Sequence, residues 1–438
     1  MKHQRYLVRA CVLALVVLLV NSVVRTQTTV YGNLSQRIDG LVAAMPSSGS
    51  ASKYRIPTGP EQAQWSSVIL AILEGHLSDA NTSANGLGYH LLIFVDTTTT
   101  PPRQYDLLEE EPGSSRYWGT FIYNLQPSRP TLFIQSPHPL YDSNTGKQGY
   151  YIFKRNEALA FYMTGAHRCN NDTLSPCSGT TTACSASSEP YRVSDQAHSV
   201  EGMLQKTTEV LNDHVAGLVV LQNHGFAKQA SDPDLIMSNG TTSTPAEDKL
   251  LALRDHLAGI DTVLTFKVAH IDIGWTRLIA TTNVQGRLLN GSPNICSQNA
   301  PSASGRFIHI EQAYARLRDS QQNWDKLASA VGLTFDPVSS VEHPAGTSQA
   351  PPEFTLLRNF PNPFNAQTTV EYVVPASGWI TMDLYTALGE RIRTLASGER
   401  APGTYRLSLD MGASASGLYF IRFVGQSFVS TRPIVLLK

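Results

Sequence analysis

From His90 to Val331, short apolar runs of strand length alternate with stretches of helical spacing, and this alternation constrains the fold more than any other feature of the sequence. His90 to Asp96 (HLLIFVD), Tyr117 to Tyr123 (YWGTFIY), Thr131 to Gln135 (TLFIQ), Gly217 to Gln222 (GLVVLQ) and Arg306 to Ile310 (RFIHI) read as strands. Helical spacing covers Lys147 to Met163, His198 to Asp213, Pro245 to Leu257 and Gln312 to Val331, with Ser243 and Thr244 as candidate caps of the third. Strands interleaved with helices predict an α/β domain, over residues 28–335, built on a mostly parallel or mixed sheet.

The pattern stops at residues 336–353 (DPVSSVEHPAGTSQAPPE), which have linker composition. Beyond it, Thr368 to Val374, Trp379 to Tyr385, Thr404 to Leu409 and Gly417 to Val424 are short strand-like runs separated by turn residues. That rhythm predicts a small all-β sandwich over residues 354–438. The segment also contains FPNPFN (Phe360 to Asn365), TTVEY, D-L-Y-x-x-x-G-E (Asp383 to Glu390), PGTY (Pro402 to Tyr405), SGLYFIRF (Ser416 to Phe423) and a terminal VLLK. In that order, these motifs resemble the C-terminal sorting domain of the type IX secretion system of Bacteroidota. The resemblance implies export by that machinery to the cell surface or medium, in association with the outer membrane.

The other end of the chain agrees with export. Lys2, His3, Arg5 and Arg9 precede the apolar run Cys11 to Val20, and polar Asn21 and Ser22 end it. A run this short is predicted to be a signal peptide, residues 1–27, rather than a permanent transmembrane segment, which needs about 20 apolar residues. With Cys11 removed, Cys169, Cys177, Cys184 and Cys296 can form two disulfides in an oxidising compartment. Their spacings fit no zinc-binding C-x-x-C pattern. Charged residues make up 16% of the chain and the net charge is -1, so a nucleic-acid partner, which calls for a basic excess, is not expected.

Three apolar runs end in chemically capable side chains. TLFIQS leads into Pro137-His138-Pro139-Leu140-Tyr141-Asp142, GLVVLQN into His224-Gly225, and RFIHI into Glu311. In open α/β sheets, sites form beyond the carboxyl ends of strands. Two histidines and a carboxylate with an open fourth position make a catalytic zinc arrangement, and a further glutamate can take a proton from the bound water. This ordering resembles the zinc carboxypeptidase and N-formylglutamate amidohydrolase superfamily. The resemblance implies His138, Asp142 and His224 as zinc ligands, Glu311 as general base and Arg168 as a clamp for a substrate carboxylate. The first pair departs from the family pattern, being H-x-x-x-D, one residue longer and with Asp for Glu.

Other residues have several readings. Asp195 and His198 share a helical face as a supporting pair, as alternative ligands, or as a helix N-terminus with Asp195 as cap, the reading favoured here. His309 is assigned to the core. Glu109, Glu110 and Glu111 read as a solvated acidic loop. The sequence therefore predicts a secreted zinc-dependent amidohydrolase or peptidase acting on a peptide or N-acyl amino acid. The competing expectation is a non-catalytic surface binding protein on a degenerate hydrolase fold.

Overall fold

Leu132, Phe133 and Ile134 are all fully buried, although successive strand side chains point to opposite faces. A strand of this kind needs cover on both sides, and the architecture supplies it. The computed structural model describes residues 28–48, 53–335, 355–400, 402–412, 414–425 and 428–437. The expected signal peptide (1–27) and linker (336–353) lie outside the described residues. The chain divides into two compact units, Met1–Val338 and Ser339–Lys438.

The strands of the first unit are β1 (Thr28–Gly32), β2 (Tyr89–Asp96), β3 (Arg103–Glu110), β4 (Thr120–Asn124), β5 (Arg129–Ser136), β6 (Ala158–Met163), β7 (Thr180–Thr181), β8 (Glu189–Pro190), β9 (Val219–Gly225), β10 (Leu235–Ser238), β11 (Phe266–Val268) and β12 (Phe307–Gln312). Ten of them form one mixed sheet in the order β1-β2-β3-β4-β6-β5-β9-β12-β10-β11. Neighbours among β6, β5, β9 and β12 are parallel, while β4 and β10 flank this block antiparallel.

The helices are α1 (Leu34–Ala43), α2 (Gly59–Leu73), α3 (Leu77–Gly86), α4 (Thr145–Arg155), α5 (Met203–His214), α6 (Lys249–Ile260), α7 (Val284–Leu289) and α8 (Gln321–Thr334). Two buried clusters cover the sheet. One joins Leu132 and Ile134 to residues of α1, α4, α6 and α8, and the other joins Phe133 to residues of α2, α3 and α5. The chain leaves β5 through α4 to β6 on one side and later fills β9 on the other. The order reverses at β5, and a crevice opens at such a point. No helix among the described residues is long and apolar enough to cross a membrane.

Several predicted helices are shorter than their apolar spacing suggests. The stretch Lys147 to Met163 is helix only to Arg155. Glu157, at φ 46°, turns the chain, and the fully buried run Ala158–Met163 becomes β6. The helix expected from His198 begins at Met203, and the one expected from Gln312 begins at Gln321, where the Ser320 side chain accepts the Asn323 amide. Asp248, rather than Ser243 or Thr244, caps α6 by accepting the Leu251 amide. The acidic run is no loop: Glu109 and Glu110 end β3, and buried Glu109 pairs with Arg37 and His90.

The second unit holds β13 (Thr355–Phe360), β14 (Gln367–Val374), β15 (Gly378–Thr386), β16 (Arg391–Arg400), β17 (Gly403–Asp410), β18 (Gly417–Val424) and β19 (Val429–Leu436). They form two antiparallel sheets, β13-β14-β17 and β16-β15-β18-β19. Val370, Tyr372 and Val374 of one sheet and Ile380, Met382, Leu384, Ile421 and Phe423 of the other share a single buried cluster.

Candidate metal centre

Beyond β5 the chain turns tightly. The Asp142 amide donates to the His138 carbonyl at 3.0 Å, and the Thr145 hydroxyl donates to the same carbonyl at 3.1 Å. α4 then packs directly on the strand end. A Cβ on Gly149 would stand 2.2 Å from Ser136 Oγ, so the close approach requires glycine there. An i,i+4 turn puts both side chains on one side. The longer H-x-x-x-D spacing therefore brings Asp142 Oδ2 within 3.4 Å of His138 Nδ1.

His224, at the end of β9, completes a triangle. Its Nδ1 lies 3.1 Å from His138 Nδ1 and 3.5 Å from Asp142 Oδ2. A tetrahedral centre with bonds of about 2.0–2.2 Å has edges of about 3.3–3.6 Å; the two distances to Asp142 fall in that range and the 3.1 Å between the imidazoles is slightly shorter, so the three atoms are near the spacing of ligands of one ion. The opposite ring nitrogens are already engaged. His138 Nε2 donates to Asp195 Oδ1 at 2.8 Å, and His224 Nε2 donates to Gln222 Oε1 at 2.8 Å. Gln222 presents its oxygen because its amide nitrogen donates to Gln135 and Gln285. With both Nε2 atoms acting as donors, the two Nδ1 lone pairs face each other. Only a shared cation, a proton or a metal, satisfies that arrangement.

The electrostatics agree. Burial and the Arg168 charge act to lower the pKa of His138, but the Asp195 and Asp142 carboxylates outweigh them and its net shift is upward. Burial lowers His224 to about 4. Against the cost of burial, Arg168 and the two histidines hold Asp142 well below the usual carboxylate range. The Arg168 guanidinium donates to Asp142 Oδ1 at 2.7 Å, and the Gly225 amide donates to Oδ2 at 3.1 Å. The donor set, two imidazoles and a carboxylate that are all buried, fits zinc.

The parallel register of β9 and β12 sets Glu311 beside His224 and His309 beside Gln222. His309 and Glu311 alternate along β12 and share its face. Nitrogen atoms of His224 and His309 and a Glu311 oxygen lie within 4.8 Å of one another. Burial and the Asp142 charge raise the Glu311 pKa, and burial holds His309 well below the usual histidine range.

His138, His224, His309 and Glu311 line a cavity of 420 Å³. One wall, with Thr180, Thr181, Thr182, Ser188 and Tyr191, is the segment carrying β7 and β8. It is pinned by the disulfides Cys169–Cys184 and Cys177–Cys296. Tyr191 stacks flat on His198, with ring centroids 3.6 Å apart. Gln229, Arg277 and Leu278 also line the cavity.

No protein-family model matches the chain, and no curated protein matches it significantly. Among solved structures, one match is PorZ, a bacterial surface component of the type-IX secretion system of Porphyromonas gingivalis. It is 14% identical over 18% of this chain and 11% of that chain, with a TM-score of 0.14. Another is the endo-beta-1,4-mannanase from Thermotoga petrophila, 10% identical over 53% of this chain and 41% of that chain, also at 0.14. The chain spans well under two thirds of either structure, and neither likeness bears on its fold or chemistry.

The structure thus brings together His138, Asp142, His224 and Glu311, the residues singled out at the three strand ends. Arg168 reaches the same cavity; one guanidinium nitrogen donates to Asp142, and its buried Nε has no protein partner. Asp195 lies eight residues before α5 and caps nothing; it orients His138. His309 is not a core residue but faces the cavity beside Glu311, as the two-residue alternation in RFIHIE allows. Gln222, Tyr191 and Arg277 carry no local sequence signal. Their roles arise from strand register and from loops that meet only in the folded chain.

Proposed function

We propose that the protein is a secreted zinc-dependent hydrolase of amide bonds, an amidohydrolase or peptidase. The observation that carries this reading is the triangle of His138 Nδ1, His224 Nδ1 and Asp142 Oδ2, with both imidazoles fixed from behind. His138, Asp142 and His224 would hold the zinc, which would lower the pKa of a water toward about 7 and polarise a carbonyl. Glu311 accepts the proton of the attacking water and returns it to the leaving amine. Its Oε2 is buried with no protein partner, and its raised pKa suits a group that both takes and gives a proton. Asp195 and Gln222 hold the histidines in the ligating tautomer. Arg168 and Arg277, each tied to one carboxylate, are the two cations of the cavity lining that can receive a substrate anion. Arg277 is bonded to Asp232 at 2.9 Å and lies over the Phe226 ring, and Arg168 lies over the Tyr141 ring.

In this reading, residues 354–438 direct export through the type IX machinery, and a chain lacking them stays inside the cell. Metal analysis of the purified protein together with Glu311→Gln tests the chemistry. One zinc per chain is expected, and the variant should keep the zinc while its kcat falls roughly 10²–10⁴-fold. A wild-type protein that binds no zinc when supplied with it overturns the reading, and full activity in Glu311→Gln removes Glu311 as the base. The competing reading, a binding protein on a degenerate site, was motivated by the long H-x-x-x-D spacing. The turn absorbs that extra residue, so the spacing no longer argues for it.

A further inference from the structure

A second cavity, of 260 Å³, adjoins the first. Thr180, Tyr191, His198, Leu278, His309 and Glu311 line both. The wall that belongs to the second is the segment 276–283, which leads into α7. Charge separates the two: Arg168 and Arg277 line the first, while the lining of the second, among the described residues, includes no lysine or arginine. The backbone of the segment is held in an unusual form. Leu278 (φ 58°) and Ala280 (φ 56°) lie in the left-handed region, which such side chains rarely adopt. Leu278 packs on the cluster of Phe226, Ile236 and Ala313, and Ala280 on the cluster that includes Leu289 and Phe307. Anchoring in two separate clusters keeps the strained conformation in place, and strain of this kind collects at binding sites.

Hydrogen bonding along the segment is one-sided. The carbonyls of Arg277, Ile279, Ala280, Thr281 and Thr282 accept from Trp275 Nε1, Ser238 Oγ, the Asn283 amide, Arg287 Nε and His198 Nδ1, respectively. The amides of Leu278, Ala280, Thr281 and Thr282 donate to no protein group among the described residues. Backbone donors need acceptors, and for these the acceptors come from the cavity, as solvent or as ligand. A wall with its acceptors used and its donors left over selects a ligand that brings oxygen acceptors, and without a cation it favours a neutral one. We propose that the second cavity is a substrate subsite for an uncharged acyl chain that carries at least one further amide, whose carbonyl oxygen accepts from this wall. On the zinc-hydrolase reading, on which this assignment rests, Glu311 acts at the border of the two cavities. The amine portion of the substrate then lies on the side of Arg168 and Arg277, and the acyl portion in the second cavity. A formyl or acetyl group brings no second carbonyl, so the site favours peptidyl chains over short N-acyl groups.

The test is calorimetric titration of the zinc-loaded full-length protein with two hydroxamates, which anchor on zinc and have equal chain length. Acetylglycine hydroxamate carries a second amide where pentanohydroxamic acid has only methylenes. The first is expected to bind about 5–10-fold more tightly. Thr276 is exposed and lines the second cavity but not the first. Thr276→Trp, which puts bulk into that wall, is expected to keep the zinc and to bring the ratio of the two affinities near one. Equal affinities in the wild type, or an unchanged ratio in a zinc-bearing Thr276→Trp, overturn the second subsite and leave the metal centre standing. The wild-type ratio decides alone if the variant loses its zinc. A protein that takes up no zinc overturns the preceding reading instead, and the subsite with it.

Discussion

The two units bury different kinds of side chain. Among the described residues, the C-terminal unit buries Thr368 and Asp383 besides its apolar cluster, and Asp383 is bonded to Thr394. The first unit buries three histidines and three carboxylates around one cavity, over a layer of fully buried glutamines, Gln135, Gln205, Gln222 and Gln285. Apolar alternation alone is enough to close the two small sheets. Buried polar groups cost stability unless paired, so their concentration at the ends of β5, β9 and β12 sets this edge of the first unit apart from the apolar core of the second.

The contrast can be broken most directly at His224. His224→Ala removes a triangle vertex and is expected to abolish both tight zinc binding and hydrolysis. Undiminished zinc in that variant means the buried polar cluster is only structural. The next largest effect is expected from the paired change Cys177→Ser and Cys296→Ser. Loss of this link should lower unfolding stability by roughly 2–5 kcal/mol, measured by denaturant titration. It should also raise KM, because the cavity wall loses its anchor, and an unchanged KM would detach the wall from substrate binding.

Asp106 offers a subtler test, away from the cavity. Both of its oxygens are buried without a partner, and burial raises its pKa to about 7. The folded pKa exceeds the unfolded value of about 3.9, so this contribution to stability is complete below about pH 4 and is lost as the pH rises toward 7. The loss within that window is at most about 1.4 kcal/mol per pH unit. Asp106→Asn should flatten the fall in Tm between pH 5 and 7, and an identical slope in both proteins would show that Asp106 is solvated. The smallest effect is expected from removing residues 354–438, which should leave zinc content and kcat/KM unchanged. A large fall would tie the centre to the C-terminal unit.

Much of this was legible in the chain. Continuous apolar runs gave the central strands, and the polar residue just past each run gave His138, His224 and Glu311. What was not legible depended on geometry beyond the local pattern. A single turn at Glu157 ended α4 and let an apolar run that also fits helical spacing become β6. Period-two alternation in RFIHIE was present, but only the pairing of β12 with β9 shows that this face meets His224. Arg168 has the charge for a clamp, and only the folded distance to Asp142 shows that it also braces that carboxylate.

The Cys177–Cys296 link spans a sequence separation of 119 and closes the chain into a ring. His198, His224 and Arg277 lie inside this ring, while His138 and Glu311 lie outside it. A protease that cuts once anywhere within the ring therefore releases nothing, because the two pieces stay covalently joined and the sheet still holds β9 between β5 and β12. Nicked protein should run as one species on a non-reducing gel, separate into two on reduction, and keep its zinc until then. The bond that fixes the cavity wall thus also holds together the two pieces of a chain cut within the ring.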